Sequence, residues 1–127
     1  MIFIKTNWFI PKQFDAYNLG FITLMRPEVY HDEPLRDHER THLRQMLRFP
    51  FHHVYLYHFN KEYRFRAEAE AFGKQATHFK GRNYSKAVKR FATFLQNNYG
   101  LGKTHKQCMT AIQDEYVRQL DKRKGGT

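Results

Sequence analysis

Asp37-His38-Glu39-Arg40-Thr41-His42 is the stretch on which the reading of this chain turns, because it contains the pattern H-E-x-x-H. If residues 34 to 48 are helical, His38 and His42 stand four apart on one face, close enough to grip a single ion, with Glu39 beside them. Two imidazoles on one helix suit Zn²⁺. A neighbouring carboxylate can take a proton from a metal-bound water whose pKa the ion lowers to about 7. That is a hydrolytic arrangement with Glu39 as general base. Random orderings of this composition would produce the pattern about 3% of the time, so the flanking sequence must carry the reading. It favours a helix: Pro34 stands near the start behind Asp32 and Glu33, Leu35, Leu43, Met46 and Leu47 recur at helical spacing, and Pro50 closes the segment.

Catalytic zinc usually has three protein ligands and one open position, so a third ligand is needed. Downstream, Tyr63-Arg64-Phe65-Arg66-Ala67-Glu68-Ala69-Glu70-Ala71-Phe72 reads as part of a second helix from about Lys61 to Phe79. Glu68 and Glu70 are two apart and diverge by about 200° on a helix, so at most one faces the ion. Glu68 is the preferred ligand, and Glu70 the alternative. The competing reading is that both are solvated charges. Arg64, four before Glu68, is spaced to pair with it along the helix.

The order of these motifs carries a resemblance. A short strand ending in Arg26-Pro27-Glu28, then His38-Glu39-x-x-His42-x-x-Gln45, then Tyr63-Arg64-x-x-x-Glu68-x-Glu70-Ala71-Phe72 resembles small bacterial and phage proteins of the zincin type. Within that type it is similar to the gluzincin arrangement, in which a glutamate on a following helix completes the site. The resemblance covers roughly residues 20 to 79. It implies zinc, a minimal metallopeptidase-like fold and peptide hydrolysis, with His38, His42 and Glu68 as ligands and Glu39 as general base. Two positions depart from the pattern. Phe72 stands four after the ligand glutamate, where an acidic or amide side chain often orients a ligand histidine, and Arg40 stands where an apolar residue is frequent. Orientation is then expected from Asp37 or Glu70. The resemblance further implies a small sheet against the metal-bearing helix, whose edge strand along residues 20 to 26 would pair with an extended peptide substrate.

Working outward, residues 2 to 10 are rich in β-branched and aromatic side chains and end at Pro11, which predicts a strand. Turn residues follow through Asn18 and Gly20, and Phe21 to Met25 reads as a second strand stopped by Pro27, so the two are expected to form an antiparallel pair. The aromatic segment from Phe49 to Asn60 suggests a buried connection or short helix with Phe51, Tyr55, Leu56 and Phe59 on one side. Its His52, His53 and His58 could serve as ligands, against the plainer reading of ordinary aromatic side chains. For an oxyanion stabiliser, Tyr63 and His78 are the nearest candidates by sequence. Gly73 marks a close helix contact or a weak point, and Gly81 is expected to end the second helix. Ala87, Val88, Phe91, Phe94 and Leu95 predict a helix from Ser85 to about Asn97. Thr104-His105-Lys106-Gln107 matches a capping box, followed by a stripe of Cys108, Ala111, Ile112, Tyr116 and Leu120. The tail from Asp121 is expected to fray.

The fold class that follows is α+β: a small N-terminal sheet on two motif-bearing helices, then a helical C-terminal part. One domain is expected, with a metal-site core over 1–79, a basic helical part over 80–120 and a tail over 121–127. The single cysteine, Cys108, excludes an intramolecular disulfide, so any metal must use histidine and carboxylate. No secretory signal or membrane-length apolar run is evident, which favours a cytoplasmic protein or a component of a virus particle. The net charge of +10 lies largely after residue 73 and favours an acidic partner, an anionic membrane surface or nucleic acid. No zinc-finger spacing, RNP-type motif or glycine-rich phosphate loop accompanies it. Three functions compete: a zinc-dependent metallopeptidase, a zinc-stabilised structural or interaction protein of a larger assembly, and a basic polyanion-binding module.

Overall fold

The computed structural model describes residues 1–48 and 50–125. The apolar runs near the start form three short strands: β1 (Ile2–Lys5), β2 (Ala16–Asn18) and β3 (Ile22–Met25), in the spatial order β1-β3-β2. The sheet is mixed. β1 runs parallel to β3, with Ile2 opposite Ile22 and Lys5 opposite Met25, while β2 is antiparallel to β3. This corrects the expected antiparallel pairing of residues 2–10 with 21–25. The hairpin is instead β2–β3, closed by Gly20 at φ +94, whose amide donates to Asn18 Oδ1 at 2.7 Å. β3 is the central strand, with Thr23, Leu24 and Met25 buried, so residues 20 to 26 offer no free edge.

The chain between β1 and β2 is gathered on the guanidinium of Arg26. This group donates to the carbonyls of Ile10, Pro11 and Phe14 and to Asn7 Oδ1, and the loop so held returns as β2. Trp8 and Phe9 stand at the outside of this loop, and Phe9 holds φ +65.

A 3-10 turn (Pro27–Val29) leads into α1 (Glu33–Arg48). Asp32 Oδ1 accepts from the Leu35 amide at 3.0 Å, and Pro34 falls in the first turn, where its missing N–H costs nothing. The inward face of α1 is polar: His38, Glu39, Thr41 and Gln45 are buried, whereas Leu47 of the apolar series is exposed. α2 (Pro50–Phe59) is the short helix, but its aromatic side is turned out. Phe51 is 92% exposed and Phe59 76%, because α2 packs inward through His53. The Phe49 position of this segment lies outside the described residues.

α3 (Lys61–Ala76) is capped by Asn60, whose side chain accepts from the Tyr63 amide, and it is buried along most of its length. It ends at Ala76 rather than Phe79, and Gly81 opens the next helix instead of closing this one. α4 (Gly81–Asn98) and α5 (His105–Gly125) follow. The capping box is formed in both directions, Thr104 N to Gln107 Oε1 at 2.9 Å and Gln107 N to Thr104 Oγ1 at 3.1 Å. Residues 121–125, expected to fray, continue α5, and Gly126 and Thr127 lie outside the described residues. The apolar core lies between α3, α4 and α5, around Phe72, Val88, Phe91, Leu95, Cys108 and Ile112. Among the described residues, no helix is long and apolar enough to cross a membrane.

α3 and α5 meet at Gly73, where an added Cβ would lie 2.6 Å from Glu115 Cβ and 3.0 Å from the backbone of Glu115 and Tyr116. The backbone cannot yield there as a side-chain tip would. Gly73→Ala should therefore lower unfolding free energy by about 1–3 kcal/mol, read by urea denaturation.

Candidate metal centre

The polar inner face of α1 meets α3 at Glu68. His38 Nε2 lies 3.3 Å from Glu68 Oε1, His42 Nε2 lies 3.1 Å from Glu68 Oε2, and the two imidazole nitrogens are 3.2 Å apart. His38 and Glu68 are 3% and 1% exposed, and the side chain of His42 is 11% exposed. The spacing of four on α1 brings the rings together, and the α1–α3 packing brings the carboxylate to them. This buried group could hold a metal ion.

Hydrogen bonding at the far side of each ring decides what the near side offers. Gln45 Nε2 donates to the Ala67 carbonyl at 2.9 Å and to Glu70 Oε1 at 2.7 Å, so its Oε1 remains to accept from His42 Nδ1 at 3.0 Å. His38 Nδ1 stands likewise 3.0 Å from Gln75 Oε1. In the neutral form each ring would thus carry its proton on Nδ1, and both Nε2 atoms would present bare electron pairs to one another and to a carboxylate. Glu68 Oε1 is buried and has no hydrogen-bond donor among the described residues. Three such donors converging in a dry site repel unless a cation, a proton or a metal ion, lies among them.

The electrostatics agree. Burial is the largest influence on His42 and disfavours its charged form, yet the Glu68 carboxylate outweighs it and the imidazole is pushed up to about 9. Burial likewise works to raise the Glu68 carboxyl, and His42 with His38 outweighs it, holding that group well below the usual carboxylate range. Tyr57 on α2 donates its hydroxyl to Glu68 Oε2. Burial, and then the charge of Glu68, pushes that hydroxyl well above its ordinary value, so it stays protonated; the same holds for Tyr99 beyond α4.

A cavity of about 580 Å³ opens beside the triad. The β2–β3 hairpin lines one side with Tyr17 and Leu19, α1 contributes Glu39 and Met46, α2 contributes Val54 and Tyr57, and Tyr99 closes the end. Glu39 is 6% exposed and borders this space, one residue from His38.

Of the residues singled out from sequence, His38, His42 and Glu68 come together and Glu39 stands beside them. Glu70 is not in the triad; it accepts from Gln45 and so steadies His42 through that amide. Asp37 turns to His78, accepting from its Nε2 at 2.9 Å, and orients neither ligand histidine. Tyr63 is engaged with His53 Nδ1 at 2.8 Å, and neither Tyr63 nor His78 is among the cavity-lining residues. His53 and His58 border the cavity, and they and His52 stand outside the triad. Arg64 does not pair with Glu68. Its guanidinium donates to the carbonyls of Tyr57, His58 and Tyr99, tying the ends of α2 and α4 together. Phe72, in the place of an orienting polar residue, packs edge-on against the His38 ring at 4.4 Å.

Gln45, Gln75, Tyr57 and Tyr99 were not legible as site residues. Gln45 is three after His42 and Gln75 seven after Glu68, both on the helical face of their ligand, so spacing carried a signal for them. Tyr57 and Tyr99 arrive only through the fold.

No protein-family model, curated protein or solved structure matches the chain. The centre is therefore judged on its own geometry.

Two outcomes follow. His42 titrates at about 9 when folded against an ordinary 6.5, so its pairing with Glu68 stabilises metal-stripped protein below 6.5 and is lost as pH rises through about 9. Melting temperature of stripped protein should fall over that window, and metal uptake, which displaces the same proton, should tighten until about pH 9 in a chelator competition. Gln45→Leu, which frees the His42 tautomer, should weaken metal affinity by about 10–100-fold in the same assay.

Proposed function

We propose that this chain is a zinc-dependent hydrolase of the zincin-like, gluzincin type, acting on peptide bonds. The observation that carries the reading is the convergence of two bare imidazole nitrogens and a carboxylate at 3.1–3.3 Å from one another, beside an unengaged glutamate at a cavity. Arms of 2.0–2.1 Å in a tetrahedron leave its corners about 3.3–3.4 Å apart, so the spacing suits zinc. Calcium and magnesium prefer oxygen-rich sets, and two imidazoles argue against them. The partnerless buried Glu68 Oε1 also fits a ligand role. When bound, the ion supplies a Lewis acid that polarises a carbonyl and acidifies water.

The chain's own residues supply the rest. Glu39 accepts the proton of the attacking water and returns it to the leaving amine. Tyr57, held protonated and lining the cavity, would serve a developing oxyanion by turning its hydroxyl from Glu68 Oε2, in place of Tyr63 or His78. Since β3 is central, the strand open to an extended peptide is β2, whose residues 16–18 border the cavity.

Glu39→Gln should keep stoichiometric zinc by elemental analysis while losing cleavage of a quenched-fluorescence peptide library by at least about 100-fold. Undiminished cleavage by that variant refutes the mechanism. The near-complete burial of Glu68 and His38 favours one second reading, a metal clasp between α1 and α3 without turnover. In that case Glu39→Gln leaves every property unchanged, while His38→Ala lowers the melting temperature.

A further inference from the structure

Between Glu70 and Asp114 the chain carries no acidic residue and eight lysines and arginines. The fold does not scatter them evenly. α5 runs back along α4, with Tyr116 against Tyr84 at 4.4 Å, so its last turns reach the beginning of α4 and the turn before it. There Arg123 donates to Thr77 Oγ1 at 3.0 Å, and Thr77 in turn donates to the Lys74 carbonyl at 2.6 Å. Lys80 and Arg82 are exposed beside this junction and Lys122 is exposed next to Arg123. Arg44 approaches from α1. Mutual crowding is evident at Lys74: burial first, and then Arg123, Arg44 and Lys122 against the opposing pull of Asp37, hold its ammonium below the ordinary value.

The acidic groups nearby are few. Asp37 is engaged with His78, and Asp121 is exposed on α5. Among the described residues, Arg44, Lys74, Lys80, Arg82, Lys122 and Arg123 form no salt bridge. A folded chain that brings like charges together without ion-paired carboxylates bears a repulsion that a polyanion removes.

The geometry points to this end of the α3–α4–α5 bundle as a docking face for a nucleic-acid duplex, held through its phosphates by Arg44, Lys74, Lys80, Arg82, Lys122 and Arg123. The charge is spread over four helices, α1, α3, α4 and α5, and the turn between α3 and α4, which fits a repeating row of phosphates better than one small anion. The large exposed apolar side chains lie between residues 2 and 59, with Val117 the exception. Among the described residues this end therefore presents no large exposed apolar side chain, its Phe79 and Tyr84 being packed against the core. It offers neither the apolar wedge of a membrane-seated surface nor an open aromatic platform on which single-stranded bases stack. A duplex, whose bases are already stacked inside, needs neither. The face is separate from the metal centre and owes nothing to the hydrolase reading.

The test is fluorescence anisotropy of a labelled DNA duplex of about 20 base pairs at several salt concentrations around 100 mM. The full chain should bind, with the logarithm of affinity falling linearly against the logarithm of salt. Lys80→Ala, Arg82→Ala and Arg123→Ala together should weaken binding by roughly tenfold or more and reduce the salt slope by about 2.7. Removing the same charge elsewhere, by Lys5→Ala, Lys12→Ala and Lys61→Ala, should leave most of the affinity. If the first triple variant fails to melt cooperatively, Lys80→Gln with Arg82→Gln, both at exposed positions, replaces it, with about two-thirds of the slope change expected. Equal losses in the two triple variants, no duplex binding near 100 mM salt, or tighter binding to the single strand or to phosphatidylglycerol vesicles would each overturn the proposal.

Discussion

Three electron-pair donors face one another in a site from which water is largely excluded, and the rest of the N-terminal half is arranged around that conflict. Left unrelieved, burying such groups costs several kcal/mol each. The inward side of α1 is almost wholly polar, which no ordinary helix in a small domain would choose. It is tolerable because most of these groups have assigned partners and Glu39 borders the cavity: Thr41 donates to the Asp37 carbonyl, Gln45 spans from the Ala67 carbonyl and Glu70 to His42, and Gln75 meets His38. What these partners leave over is one opening for a cation.

α3 connects this polar interior to an apolar one. Glu68 and Gln75 reach α1 from one face of it, and Phe72 on that same face, with Ala76 beside it, extends into the cluster with Phe91, Leu95 and Ile112. Phe72 belongs to both, since its ring lies against His38 and stacks on Phe91 at 5.2 Å. The precision of the site is thereby tied to packing in the C-terminal half. The close approach at Gly73 lets α5 brace α3 from behind, five residues beyond Glu68.

Much of the site was legible because its chemistry is local. His38 and His42 are four apart on one helix, and the two-residue offset of Glu68 from Glu70 left room for only one of them. The capping box at Thr104 and the core stripe of α4 are short-range signals of the same kind. The pairing of strands was not legible, because the parallel β1–β3 ladder needs the chain between them to loop back, and that loop is gathered by Arg26, 12 to 16 residues away in sequence from the carbonyls it binds. Nor were the roles of Asp37 and Glu70, since both depend on which side chain from another helix arrives first: His78 for one, Gln45 for the other. Aromatic density misled at α2, where burial was expected of Phe51 and Phe59 and fell to His53, with Tyr57 half-buried beside it, and both have polar partners inside.

That outward aromatic side of α2 bears on how the molecule behaves in company. Phe51, Val54, Tyr55 and Phe59 make an adhesive strip in water on a chain of net charge +10. Long-range repulsion between copies keeps those strips apart, and it acts only over a screening distance of about 10 Å in 0.1 M salt. Colloidal stability of this protein is therefore an ionic property laid over a sticky surface, strongest in dilute buffer well below its isoelectric point near 9.9 and weakest where brine or alkali strips the repulsion away.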